Sequence, residues 1–179
     1  MGKLRFLIAI VVGKVSAFLL DKIFKRGTNT PGIIMLKICP DALARFVMPQ
    51  KTICVTGTNG KTGTSNLLTH IIRNSGKTVV NNSKGSNMAP GLVSALVTQC
   101  TLSGKITADV AVLEVDERSS QFIYTKFVPD YILCTNLFRD SIMRNGHSGF
   151  IFDKINDYLS EKTTLVLNGN DGISGLLGE

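Results

Sequence analysis

No two of the four cysteines, Cys39, Cys54, Cys100 and Cys134, are close enough to make a Cys-x-x-Cys pair, so the spacing that marks a zinc site is missing. Cys54 and Cys134 fall inside apolar stretches, where a reduced thiol packs as a small core residue, and reduced thiols fit the cytoplasm. A membrane-spanning helix needs about 20 consecutive apolar residues. Residues 4–20 come near that, but Lys14 sits in the middle of them, where a charge is costly in lipid. No small-x-small cleavage site follows, which argues against a signal peptide. Acidic residues are scarce at the start: residues 1–26 hold Asp21 alone against Lys3, Arg5, Lys14, Lys22, Lys25 and Arg26, which accounts for +5 of the net charge of +7. The remainder is near neutral, which argues against a nucleic-acid interface on its surface. The basic, apolar start instead fits a helix docked on the domain or one lying at an anionic membrane surface. Internal repeats, low-complexity segments and hairpin signals are also absent.

What is present is a globular composition. A chain of 179 residues makes one domain or part of a larger one, and 44% hydrophobic with 18% charged residues supports a packed core. After a turn-rich break from Gly27 to Gly32, residues 33–38 and 41–48 read as short helical pieces divided by Pro40, with Asp41 near an N-cap. Strands are expected at 51–55, 78–80, 109–115, 131–134 and 164–167, and helices at 61–74, 92–102 and 150–160. Alternating strands and helices predict an α/β fold, a mostly parallel sheet covered on both faces. The expected division is a helical segment over 1–48 and a nucleotide-binding domain over 49–179.

The chemistry concentrates at Gly57-Thr-Asn-Gly-Lys-Thr62, between the strand Ile53-Cys54-Val55 and the helix that follows. A Gly-rich turn ahead of a helix N-terminus aims backbone N–H groups and partial positive charge at a polyphosphate. Lys61 can reach the β/γ-phosphates, and the Thr62 hydroxyl can bind Mg²⁺. The common P-loop has glycine four residues before Gly-Lys. Here that position is Val55, and the glycine stands at Gly57. Asp109 to Val115 is a near-continuous apolar strand of the buried parallel type. Glu114, with Asp116 and Glu117 after it, stands at its carboxyl end, where open α/β sheets bind their ligands. Glu114 is the favoured Mg²⁺ ligand of the three. The polar loop 81–91 reads either as a mobile binding loop or as a plain connection. His70 reads as a surface or packing residue.

Four separated stretches then agree with one family. Gly57-Thr-Asn-Gly-Lys-Thr62, Gly85-Ser-Asn-Met88, Leu113-Glu-Val-Asp-Glu117 and Thr135-Asn-Leu-Phe-Arg-Asp140 occur in the order seen in Mur ligase central domains. The last two together, and the prelude from Arg26-Gly27 to Pro40-Asp41, look most like the MurT type, the ATP-dependent subunits of lipid II isoglutaminyl synthase. The resemblance implies an ATP-dependent amide ligase that works with a GatD-like glutaminase. It activates the D-glutamate α-carboxylate of the lipid II stem peptide, and ammonia from the glutaminase makes the amide. It implies that Gly57, Thr58, Asn59, Gly60, Lys61, Thr62, Gly63 and Asn87 face ATP. Thr62 and Glu114 would hold Mg²⁺, and Asn136 and Asp140 would join Lys61 on the catalytic side.

The chain departs from the MurT pattern at Ser141-Ile-Met-Arg-Asn-Gly-His147, where Met143 replaces an acidic residue, and at Gly63, where threonine is usual. The rest of a Mur ligase central domain, a four-cysteine zinc insertion and the closing C-terminal domain have no counterpart in these 179 residues. The expectation is therefore an ATP-binding part with no ligation by itself. A folylpolyglutamate synthase, a non-catalytic nucleotide-binding remnant and a membrane-anchored P-loop NTPase are the alternatives.

Overall fold

The structure is a computed structural model that describes residues 2–24, 29–138 and 148–178. Asp140, Met143 and His147 lie outside the described residues. The described residues form, in chain order, α1 Gly2–Phe24, α2 Thr30–Ile38, α3 Ala42–Arg45, β1 Lys51–Thr56, α4 Lys61–Asn74, β2 Val79–Asn81, α5 Ala89–Thr98, β3 Val110–Glu114, α6 Ser120–Ile123, β4 Tyr131–Cys134, α7 Ser148–Asn156 and β5 Thr164–Leu167, then a 3-10 turn at Ser174–Leu176. The strands form one sheet in the order β2-β3-β1-β4-β5, with every pairing parallel. β1 lies at its centre, with Val55 opposite both Glu114 and Leu133.

The period of two along each strand divides the core. Val55, Val79, Val110 and Val112 point to one face and meet Leu68 and Ile72 of α4. Cys54, Val80, Ala111 and Leu113 point to the other and join Ile10 of α1, Met35 of α2 and Leu92 and Leu96 of α5. Farther along that face Ile151 and Ile155 of α7 pack with Cys134 and Leu137. All five residues of β3 are buried, as expected of a central parallel strand covered on both sides.

α1 and α2 are thus part of the main core. α2 crosses α5 so closely that a Cβ on Gly32 would stand 1.9 Å from the Pro90 carbonyl oxygen, while the Gly32 N–H donates to Ser94 Oγ at 2.8 Å. Only glycine fits that crossing.

Several boundaries differ from the sequence expectation. α5 begins at Ala89, because Pro90 sits in its first turn, where the missing N–H costs nothing. It stops at Thr98, since Cys100 pairs with Ile106 in an antiparallel bridge around a turn at Gly104. That bridge is a local hairpin the sequence did not signal. β2 runs one residue later than expected, and α6 was not expected at all. Asp41 precedes α3 but makes no capping bond. Its carboxylate takes the Arg45 side chain and the Cys39 thiol instead, which together hold its pKa down at about 2.

The two loops that follow β4 and β5 are tied together at their bases. The buried Asp171 carboxylate accepts the N–H groups of Leu137 at 2.8 Å and Ser174 at 3.1 Å, and Asn168 Nδ2 donates to the Thr135 carbonyl at 2.8 Å. Burial raises the pKa of Asp171, but the bonds from Ser174 and from the Leu137 backbone outweigh it and leave the carboxyl below its ordinary value. A depressed pKa adds stability above the ordinary carboxylate pKa of about 4 and loses it as the pH falls through the folded value. Asp171→Ala should therefore cost about 1–3 kcal/mol at neutral pH, and the gap from the parent should narrow in acid. Urea denaturation at the two pH values measures both. Among the described residues the buried Tyr124 hydroxyl meets no partner, and burial pushes its pKa well up. Tyr124→Phe removes a desolvated polar atom and loses no bond, so its urea midpoint should match or exceed that of the parent.

Candidate active site

The carboxyl ends of β1, β3 and β4 lie side by side, so the residues that follow each strand meet at one edge of the sheet. After β1 the chain must turn at once to start α4. Gly57 makes the turn at φ +124°, and a Cβ there would lie 2.3 Å from Thr135 Oγ1, so the position admits only glycine. Gly60 is the N-cap of α4 and offers no side-chain cap. The first bond of the helix closes from Thr64 N–H to the Gly60 carbonyl at 2.9 Å. The amides of Lys61, Thr62 and Gly63 therefore precede the helical ladder at an uncapped end, with no acidic residue in the first turn. That arrangement suits an anion. Gly63, where a Cβ would meet nothing within 4 Å, does not prevent the helix from starting at Lys61.

The lysine is held in place. Lys61 Nζ donates to the carbonyls of Gly57 and Thr58 and lies 3.1 Å from Glu117 Oε2. The lysine side chain is 12% exposed and that of Glu117 5%, so the pair is largely out of water and each charge depends on the other. Sequence reasoning ranked Glu117 below Glu114 and gave it no link to Lys61. The link follows from the adjacency of β1 and β3, which no local pattern shows.

Glu114 closes β3 and is buried. Asn82 pairs with its backbone in both directions, at 2.8 and 2.9 Å, and so extends the ladder beyond the end of β2. The carboxylate accepts from Asn87 Nδ2 at 3.3 Å, and the Asn87 carbonyl accepts the Asp116 N–H at 2.8 Å. Ser86 N–H donates to Asn29 Oδ1 at 2.8 Å. The 81–91 loop is thus fastened at Asn82, Ser86 and Asn87. Thr62 is exposed on the first turn of α4, and its carbonyl accepts the Ser65 hydroxyl at 3.2 Å.

Asn136 faces the loop itself. Its Oδ1 accepts the Asn59 N–H at 3.0 Å, its Nδ2 donates to the Asn59 carbonyl at 3.1 Å, and its own carbonyl accepts the Thr58 N–H at 2.8 Å. Thr135 Oγ1 donates to the Asn59 carbonyl at 2.7 Å, and the Thr58 hydroxyl exchanges bonds with the Phe138 backbone at 3.0 Å. The role of Thr135 was not anticipated. Asp140, expected nearby, lies outside the described residues.

The cysteines play no part in this edge. All four are buried and free. Desolvation, helped by Asp171 and Glu117, pushes Cys134 up to about 12, and burial raises Cys54 further. Among the described residues no cluster of three or more His, Cys, Asp or Glu could cage a metal. His70 is exposed on α4.

Comparison with known proteins agrees with this geometry. Residues 55–174 match the family model of the Mur ligase middle domain. The lipid II isoglutaminyl synthase (glutamine-hydrolyzing) subunit MurT of Staphylococcus aureus strain N315 is 34% identical over 165 residues, which is 91% of this chain and 37% of the relative. The subunit of the same name from Streptococcus pneumoniae strain R6 is 32% identical over 169 residues, covering 93% of this chain and 37% of that protein. The chain therefore spans a little over a third of the length of these relatives. Among solved structures, MurF ligase from Thermotoga maritima in complex with ADP superposes with a TM-score of 0.58 at 20% identity, over 79% of this chain and 33% of that one. A point mutant of L. casei FPGS superposes with a TM-score of 0.52 at 17% identity, over 86% and 47%. Those two likenesses establish the fold. The family model covers more than half of the chain and includes the loop, β3, β4 and the turn after β5, and on that ground the chain belongs to the Mur ligase family.

Proposed function

We propose that this chain carries the ATP-binding part of a MurT-like amide ligase. In this reading ATP phosphorylates the D-glutamate α-carboxylate of the lipid II stem peptide. Ammonia from a GatD-like glutaminase then attacks the acyl phosphate and displaces inorganic phosphate. The observation that carries the reading is the Lys61–Glu117 pair beside an uncapped helix N-terminus, with Glu114 at the adjoining strand end. The two MurT relatives supply the finer assignment.

The residues fit a nucleotide triphosphate. The backbone from Gly57 to Gly63 and the Lys61 ammonium would face the phosphates, and Asn87, bonded to Glu114, would stand on the nucleotide side. Lys61 would exchange its loop carbonyls for phosphate oxygens while Glu117 still shares its ammonium. The site needs little covalent chemistry, since phosphoryl transfer is mostly positioning and charge neutralisation. Thr62 and Glu114 offer oxygen donors of the hard type that Mg²⁺ prefers, and when bound there the ion would supply neutralisation of phosphate charge. Asn136 acts here by holding Asn59 in place, and Asp140 is assigned to the acceptor side.

Lys61→Ala would leave Glu117 buried and unpaired, a change that costs about 3–5 kcal/mol in such pairs. The double variant Lys61→Met with Glu117→Gln avoids that charge. It should fold and bind MgATP about 10- to 100-fold more weakly, the loss expected for charge-assisted bonds, by isothermal titration. Glu114→Gln should keep ATP binding but need more Mg²⁺ to reach it. In a MurT-like ligase that carries this segment, supplied with a glutaminase, glutamine and lipid II, amidated lipid II should form in a manner dependent on ATP and Lys61. Unchanged ATP affinity in the double variant would remove the reading, and turnover of folates in place of lipid II would redirect it.

A further inference from the structure

We propose that the outward face of α1 rests in the interfacial layer of an anionic lipid bilayer. α1 is apolar on two opposite sides. Phe6, Ala9 and Ile10 are buried against the domain. On the other side Leu4, Ile8, Val11, Val15, Phe18 and Leu19 are all exposed, Leu4 at 65% and Phe18 at 58%. Their spacing of three and four residues places them in one stripe along the helix. From Leu4 to Leu19 that stripe is about 22 Å long at 1.5 Å per residue. A contiguous apolar surface of this kind marks an interaction site.

Charge selects the occupant. At 100° per residue, Lys3, Lys14 and Asp21 fall on one edge of the stripe and Arg5, whose Nε donates to the Ile38 carbonyl, on the other, and Lys22 follows the stripe with its ammonium 4.7 Å from the Phe18 ring. Lys25 and Arg26 come next in the sequence, and Asp21 is the sole acidic residue of residues 1–26. Lys14 also lines a cleft of about 630 Å³ with Arg73, Lys84 and Asp21, so the surface beyond that edge carries three cations against one carboxylate. A second copy of the chain packed stripe to stripe would bring both sets of cations together with a single carboxylate per copy to offset them. Anionic headgroups pair with them directly, and lysines beside an apolar face can reach the headgroup layer. Among the described residues no helix is long and apolar enough to cross a membrane, so α1 would lie along the surface. The inference is independent of the nucleotide site.

The test uses the full chain with vesicles of equimolar phosphatidylglycerol and phosphatidylcholine, against vesicles of phosphatidylcholine alone. Sedimentation should show at least about tenfold tighter binding to the anionic vesicles, weakening about fivefold for each cation removed in Lys3→Gln and Lys22→Gln. Val15→Glu with Phe18→Glu should abolish vesicle binding while circular dichroism and ATP affinity stay at the parent values. Equal binding to both vesicle types overturns the proposal, as does binding that survives the two glutamates. Absence of binding in the parent overturns it as well. So does a dimer that the glutamates dissolve in a protein that ignores both vesicles, which would make the stripe a contact between copies.

Discussion

The grip of residues 135–138 on Thr58 and Asn59 is the constraint on which the site depends. A loop that must present its amides to a ligand cannot satisfy its backbone internally, and unsatisfied backbone groups are costly once covered. Here the neighbouring strand supplies the partners. β1 and β4 run parallel and adjacent, so the segments leaving them travel together, and the amide of Asn136 takes both backbone groups of Asn59. Asp171 and Asn168 secure that second segment from below. The turn thus keeps its shape through three successive strand ends, without rigidity of its own.

Lys61 and Glu117 add an electrostatic condition. The lysine charge is met by a carboxylate from the far side of β1, and both groups are largely shielded from water. The site does not hold an isolated buried cation before its ligand arrives. A polyphosphate has to compete for the ammonium with two carbonyls and a carboxylate, which favours a ligand with several negative oxygens over a single weak anion.

The fold was legible where one signal dominated. Ile53 to Val55 and Val110 to Leu113 are apolar runs long enough for strands, and the Gly57–Gly60 turn between an apolar run and a helical period announces itself. The boundaries failed where two signals competed. Pro90 reads as a stop although a helix accepts proline in its first turn, and the hairpin around Gly104 lacks the Asn-Gly or Asp-Gly that would mark it. Of the candidate site, the glycine turn after β1 and the position of Glu114 at the carboxyl end of β3 were legible locally. The partnership of Lys61 with Glu117, the hold of Thr135 on Asn59 and the place of Asp171 depend on the spatial order of the strands. A sequence of alternating strands and helices does not state that order.

The crossing of α2 and α5 carries a mechanical consequence. With Gly32 wedged against Pro90 and Asn29 bonded to Ser86, the N-terminal helices cannot swing away as a loose arm. Load applied to α1 passes through α2 into the segment that ends at Asn87, which touches Glu114. Whatever anchors the front of this molecule therefore pulls on a strut that reaches the sheet edge where the reaction would take place.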